Sequence, residues 1–180
     1  MRSAAFALAL ALALPVAAPA KADVPSHVGR ALGDAKPAGS GRLTWFGLHV
    51  YDARLFVPRA GFDARRFAEH PFALELTYAR KLSGRAIAER SDSEIGRLGL
   101  GSEEQRARWL KSMAALFPDV LAGQQLSGIN VPGRGVEFYL DGRWLGRVDD
   151  PSFGAAFFAI WLDARTTAPE LRAGLLKQAL

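Results

Sequence analysis

Residues 135–148 read GVEFYLDGRWLGRV, and they are the most direct indication of the fold class. It holds two short segments rich in aromatic and aliphatic residues, 135–140 and 143–148, joined by Asp141-Gly142. Asp-Gly between two such segments is the strongest short signal for a two-residue β-hairpin. The stretch therefore predicts two antiparallel strands and an antiparallel sheet around them.

The clearest strand pattern lies further upstream, in residues 72–80 (FALELTYAR). Large and small or polar side chains alternate there, which is the period of a β-strand. One face of this strand would carry Phe72, Leu74, Leu76, Tyr78 and Arg80. Another short strand is predicted at residues 125–130. Residues 42–57 carry apolar side chains at both odd and even positions. This pattern predicts a single strand that is covered on both faces and bent at Gly47.

Helices are predicted between these strands. Ser83 caps a helix to about Leu98, and Ser102-Glu103-Glu104-Gln105 is a capping box for a second helix. Asp150-Pro151 begins a strongly apolar helix that ends near Leu162. Residues 167–170 (TAPE) form another capping box, for a final helix. Hairpin-paired strands with helices inserted in blocks indicate an α+β fold, a large antiparallel sheet with helices packed on it.

Composition excludes several classes of protein. The 180 residues contain no cysteine and are 49% apolar, which argues against a disulfide scaffold, a thiolate zinc site and a disordered chain. Lys and Arg number 23 against 18 Asp and Glu, but the basic residues are scattered along the chain. A nucleic-acid partner is therefore not expected.

The first 22 residues have the pattern of a secretory signal peptide. Arg2 precedes an uncharged apolar run, residues 4–14, and Ala20-Lys21-Ala22 places small residues where signal peptidase requires them. The run is too short to span a bilayer as a helix. We expect cleavage after Ala22, a periplasmic or secreted protein, and no transmembrane segment after cleavage. The mature chain would then consist of a lead-in segment, residues 23–40, with at most one short strand, and one domain, residues 41–180.

No familiar catalytic or cofactor motif is present. His27, His49 and His70 are too far apart in the sequence to form a spaced pair of metal ligands. The chain has no G-x-S-x-G elbow, and its glycine-rich segments do not lie between a strand and a helix. We expect no metal, no cofactor and no catalytic residue.

Arg80 is the most informative single residue. Its place on an apolar strand face requires a partner for the guanidinium, because an isolated buried charge costs several kcal/mol. One alternative is a protein carboxylate on the next helix: Glu89, Asp92 or Glu94. The other is a ligand carboxylate reached through an apolar tunnel, with the Tyr78 hydroxyl as a second donor. The acyl chain of such a ligand would lie against Phe72, Leu74 and Leu76. The sequence leaves both alternatives open.

Several stretches resemble the chalcone isomerase-like family, in particular its exported bacterial branch. The similarity runs from about residue 41 to residue 176. Its most specific segments are residues 45–53 (WFGLHVYDA), 72–80, 133–139 (GRGVEFY), 149–153 (DDPSF), 157–162 (FFAIWL) and 169–172 (PELR). The resemblance implies an open-faced β-sandwich with a ligand cleft between sheet and helices.

The resemblance also bears on activity, because the family contains both enzymes and binding proteins. Plant chalcone isomerases use a threonine, a tyrosine, an asparagine and an arginine. Thr44, three residues before Gly47, is at the threonine position. Aligning Leu82-Ser83-Gly84 with the L-T-G of the plant enzymes puts Ile87 in place of the tyrosine and Glu94 in place of the asparagine. The arginine would fall in the region 30–32. Related plastid proteins instead bind fatty acids, gripping the carboxylate with an arginine and a tyrosine.

Three functions follow as hypotheses. The first is an exported, non-catalytic protein that binds a small apolar carboxylate such as a fatty acid. Its candidate ligand-binding residues are Arg80, Tyr78, Thr44 and Tyr51. The alternative is an isomerase or intramolecular lyase that acts on a phenolic or enone substrate. The third is a periplasmic accessory protein that binds a partner and whose cleft is only core.

Overall fold

The computed structural model describes residues 24–179, so the predicted signal peptide and its cleavage site lie outside the described residues. These residues form one six-stranded sheet in which each strand pairs antiparallel with the next along the chain. The strands are β1 (Ala35–Trp45), β2 (Leu48–Pro58), β3 (Phe72–Tyr78), β4 (Gln125–Val131), β5 (Gly135–Leu140) and β6 (Arg143–Val148). The predicted α+β class and antiparallel sheet are confirmed.

Helices cover both faces of the sheet unequally. The main layer on one face consists of α2 (Gly84–Arg97), α3 (Glu103–Leu116), α4 (Pro151–Leu162), α5 (Pro169–Leu175) and a short 3-10 helix (Ala64–Glu69). On the other face lies the short helix α1 (Ser26–Leu32), with Val28 packed on Phe56, Ala73 and Ile129. Most of the hydrophobic core therefore lies between the sheet and the main helical layer.

The region predicted as one bent strand, residues 42–57, is a hairpin instead. Trp45 pairs with Leu48, and Phe46 and Gly47 form the turn, both with positive φ (48° and 74°). Positive φ at both central residues matches a two-residue hairpin whose twist fits that of its strands. The prediction was wrong because Phe at the first turn position hides the usual Asn-Gly or Asp-Gly signal.

The predicted lead-in, residues 23–40, holds more regular structure than the single short strand expected at most. It contains α1 and the first half of β1, which pairs with β2. Its glycines indicated a loop, but Gly39 serves close packing: a Cβ added there would collide with the carbonyl oxygen of Gly174 in α5. Glycine in a strand can mark such a close approach of two backbones.

The strongly apolar helix predicted after Asp150 is present as α4 and is mostly buried. α4 buries Phe153, Phe157 and Phe158, and the Asp150 side chain caps its first turn by accepting from Ser152 N. The capping box at the start of α3 is present as predicted. The one predicted for the final helix, residues 167–170, is absent: Ala168 is the N-cap and makes no side-chain hydrogen bond.

A buried polar network fastens α1 to its face of the sheet. The His27 Nε2 atom lies 3.0 Å from Ser127 Oγ, and this hydroxyl donates to Glu75 Oε2 over 3.2 Å. Glu75 is fully buried and pairs through its other oxygen with Arg54, at 2.5 Å. A buried charge requires such compensation. Burial lowers the pKa of His27, so the neutral imidazole is the form that fits.

Candidate functional site

A cavity of about 370 Å³ lies between the sheet and the main helical layer. Its walls come from β1 to β4 on one side and from α2 and α4 on the other. Leu76, Leu126, Phe117 and Phe157 give it a largely apolar lining. An apolar cavity of this size with a few polar groups is typical of a small-molecule site.

The structure brings the four predicted site residues together. Thr44, Tyr51, Tyr78 and Arg80 all line this cavity, although they come from three strands and a bend. That they bind a ligand stays a prediction. Phe72 and Leu74, which share a strand face with Tyr78, were expected to contact an acyl chain and do not line the cavity. They lie deeper in the core, where the Phe72 ring is 4.6 Å from that of Phe158.

Tyr51 presents an oriented hydroxyl to the cavity. Its oxygen accepts a hydrogen bond from Trp161 Nε1 at 2.9 Å. Burial raises the pKa of Tyr51 to about 12, and the bond from Trp161 opposes part of that rise. The hydroxyl thus keeps its proton at neutral pH. Because Trp161 already donates to the oxygen, this proton is available to a ligand.

Tyr78 lies beside Tyr51, with the two rings edge to face and their centroids 6.0 Å apart. Burial raises the pKa of Tyr78 well above its usual range. None of the hydrogen bonds among residues 24–179 involves the Tyr78 hydroxyl. Tyr78 is 3% exposed as a residue, and a hydroxyl without a protein partner is free to bond water or a ligand.

Arg80 lies at the rim of the cavity and is exposed, two residues beyond the end of β3. The expectation that it continues the apolar strand face was therefore wrong, because the strand ends at Tyr78. The three carboxylates proposed as its partners are engaged elsewhere: Glu89 pairs with Arg85 at 2.7 Å, Asp92 with Arg106 at 3.6 Å and Glu94 with Arg90 at 2.5 Å. Within the described part of the chain, Arg80 makes no ion pair.

Sequence reasoning missed Arg90 as a cavity residue. Its guanidinium lies 4.7 Å from the ring centroid of Trp45, the geometry of a cation–π contact, and also pairs with Glu94 one turn further along α2. The Arg-x-x-x-Glu spacing was visible in the sequence. The contact with Trp45 joins residues far apart in the chain and was not.

Glu94 is buried yet well compensated. It accepts from Arg90 at 2.5 Å, from Arg97 at 2.9 Å and from the Thr167 hydroxyl at 3.2 Å. Two guanidinium groups thus compensate one carboxylate. Of the charged residues that line the cavity, Arg80 and Arg90 are basic and Glu94 is acidic, which leaves a net charge of +1. Anionic groups of a ligand would be favoured there.

Comparison with known proteins identifies the family. The family described as chalcone isomerase-like matches residues 37–177. The chain belongs to the chalcone isomerase-like family. An uncharacterised protein of Haemophilus influenzae is 33% identical over 141 residues, which cover 78% of this chain and 67% of that protein. The crystal structure of an Arabidopsis thaliana fatty-acid binding protein superposes with a TM-score of 0.65 at 14% identity, covering 82% of this chain and 89% of that one.

Three positions that the family resemblance assigns fall on one cavity. Thr44, Ile87 and Glu94, aligned with three catalytic positions of the plant enzymes, all line it. The fourth region, residues 30–32, does not: it is the last turn of α1, on the opposite face of the sheet. The cations near the cavity are Arg80 and Arg90 instead.

Two kinds of feature are absent from residues 24–179. In that range no helix combines the length and the apolar character needed to cross a membrane. The same range holds no cluster of three or more histidine, cysteine or acidic side chains arranged to hold a metal ion.

Proposed function

We propose that the protein binds a small apolar carboxylic acid, such as a fatty acid, in this cavity and leaves it chemically unchanged. The observation that carries the proposal is the combination of an apolar lining with Arg80, a rim cation that lacks a carboxylate partner among residues 24–179. A ligand carboxylate would supply that partner through a charge-assisted hydrogen bond. The acyl chain would pack against Leu76, Leu126 and Phe157.

The two buried phenols support the same proposal. Tyr51 and Tyr78 both hold their protons at neutral pH, so each can donate to a carboxylate oxygen that reaches past the rim. Hydrogen bonds to a charged acceptor are stronger than those between neutral groups. The fatty-acid binding neighbour from Arabidopsis thaliana supports the proposal only through its shared fold.

Calorimetry with a long-chain fatty acid and with its methyl ester tests the proposal. The ester keeps the acyl chain and removes the charge, so the acid should bind the wild type about tenfold more tightly or better. Native mass spectrometry of protein purified from its own cells should also detect a co-purified acid. Failure to bind either compound would contradict the proposed function, and equal binding of both would contradict a carboxylate contact.

Thr44 on the cavity wall favours a second candidate, an isomerase or intramolecular lyase acting on a phenolic or enone substrate. Ile87 argues against it, because one missing donor to a developing oxyanion costs about 10²–10³ in rate. The assay is the loss of chalcone absorbance relative to the spontaneous reaction. Saturable acceleration that Thr44→Ala abolishes would establish the enzyme and exclude a purely binding role.

We further propose that the protein is exported and acts in the periplasm or outside the cell, as a member of an exported bacterial branch of the family. The support is the signal-peptide pattern of residues 1–22. Intact mass of the cellular protein should correspond to a chain that begins at Asp23. A mass that includes residues 1–22 would refute the proposal.

A further inference from the structure

The tip of the β1–β2 hairpin is an exposed apolar surface, which we define as Trp45, Phe46 and Leu48. Phe46 is 90% exposed, Leu48 51% and Trp45 49%. Soluble proteins scatter single apolar residues over their surfaces, but a contiguous group of large ones marks a contact site. The tip therefore requires an explanation.

Phe46 is costly for the isolated protein in two ways. It has φ of 48°, a left-handed conformation that is unfavourable for a bulky residue and that Asn or Gly would adopt readily. Its side chain is also nearly all in solvent, so little packing compensates. Its nearest aromatic neighbour is Trp45, whose ring centroid is 5.2 Å away and which is itself half exposed. The turn thus holds a phenyl ring outward without stabilising the fold.

The tip adjoins the cavity, and its surroundings are cationic. Trp45 belongs to both the tip and the cavity lining, and Arg90 lies over its ring. Arg80 is at the same rim. The hairpin segment from Leu43 to Tyr51 contains no acidic residue. Aromatic and leucine side chains beside arginines are the combination that anionic membrane interfaces attract.

We propose that the hairpin tip docks on an anionic lipid bilayer, with Phe46 and Leu48 inserted at the interface, and brings the cavity mouth to the membrane. The proposal rests on the proposed function for its purpose, since a lipid-like ligand would enter or leave the cavity there. Docking itself depends only on the tip. Both claims can therefore fail separately.

The test compares wild-type protein with Phe46→Asn in co-sedimentation with vesicles. Asn prefers the left-handed turn conformation, so the variant should melt at the same temperature as the wild type or higher. Loss of the inserted ring should lower partitioning onto phosphatidylcholine vesicles that contain phosphatidylglycerol by about tenfold or more. Vesicles of phosphatidylcholine alone should bind the wild type more weakly.

Two controls separate the outcomes. Trp144→Asn removes a half-exposed aromatic residue from β6, at the opposite edge of the sheet, and should leave vesicle binding unchanged. Tyr78→Phe should weaken fatty-acid binding in vesicle-free solution but not docking, while Phe46→Asn should do the reverse. Any contribution from residues 1–23 is common to all these proteins.

Three results would overturn docking while leaving the proposed function intact. They are an absence of wild-type binding to anionic vesicles, equal binding by wild type and Phe46→Asn, and a wild-type dimer that Phe46→Asn dissociates without any vesicle binding. The last result would assign the tip to a second copy of the chain. A wild-type protein that binds vesicles but no fatty acid would instead contradict the proposed function alone.

Discussion

Replacing Arg80 by alanine tests the cavity rim most directly. The guanidinium is exposed and has no carboxylate partner in the described part of the chain, so the protein itself should lose little stability. A hydrogen bond to a charged ligand group contributes about 1.5–3 kcal/mol, which corresponds to about tenfold to a hundredfold in affinity. Solvent screening at an exposed position places the expected loss near tenfold.

Calorimetry with a fatty acid measures this loss, and thermal unfolding is recorded in parallel. Arg80→Lys should recover only part of the affinity, because an ammonium cannot reproduce the two parallel bonds of a guanidinium. Arg85→Ala is the matched control: it removes a nearby exposed arginine that pairs with Glu89 and does not line the cavity. It should bind the acid like the wild type.

The methyl ester completes the design. It should bind Arg80→Ala and wild type with similar affinity, because the ester offers no charge for the guanidinium. Unchanged acid affinity in Arg80→Ala, together with a lowered melting temperature, would show that Arg80 serves the fold and not a ligand. A carboxylate contact at the rim would then be excluded.

Other predictions concern particular contacts. Gly39→Ala should destabilise the protein by about 1–3 kcal/mol in urea unfolding because the new methyl group meets the backbone of α5, whereas Gly29→Ala, with open space around its Cβ, should be neutral or stabilising. A stable Gly39→Ala would show that α5 is not closely held. The folded protein holds His27 neutral with a pKa below its ordinary 6.5, so the unfolded chain takes up a proton first as the pH falls below that value. Unfolding free energy should then drop by at most about 1.4 kcal/mol per pH unit, and His27→Gln should lack this part of the dependence; an equal drop in the variant would exclude His27. Trp161→Phe removes the donor to Tyr51 and should cost about 1 kcal/mol of stability and raise the Tyr51 pKa in a spectrophotometric titration, so an unchanged titration would contradict the hydrogen bond.

Local patterns predicted much of the fold. The Asp141-Gly142 turn, the alternation of residues 72–78 and the apolar helix after Asp150 each reflect one element and its immediate neighbours, and all three are present. The β1–β2 hairpin and the first half of β1 were missed for a different reason. Phe46 occupies a turn position where Asn or Gly is favoured. Gly39 leaves room for the backbone of α5, which lies far away in the sequence.

The cavity could be predicted only in part. Strand parity placed Tyr78, because the period of a strand fixes which side chains share a face. It could not indicate where β3 ends, and so it put Arg80 on the strand. It also could not indicate how far the cavity extends along the strand, and so it put Phe72 in the cavity. The bond from Trp161 to Tyr51 and the stacking of Arg90 on Trp45 join distant residues, for which a single sequence carries no signal.

The order of the strands has a consequence for how the site assembles during folding. Each strand pairs with its sequence neighbour, and the longest connection in the described chain, residues 79–124, lies between β3 and β4 and contains α2 and α3. Closing that connection costs the most chain entropy of any pairing in the sheet, although the cost grows only slowly with length. The helix that carries Ile87, Arg90 and Glu94 belongs to it. We therefore expect the part of the cavity wall formed by α2 to form last and to open first. Local opening of residues 79–124 would admit a ligand while the strand pairings persist.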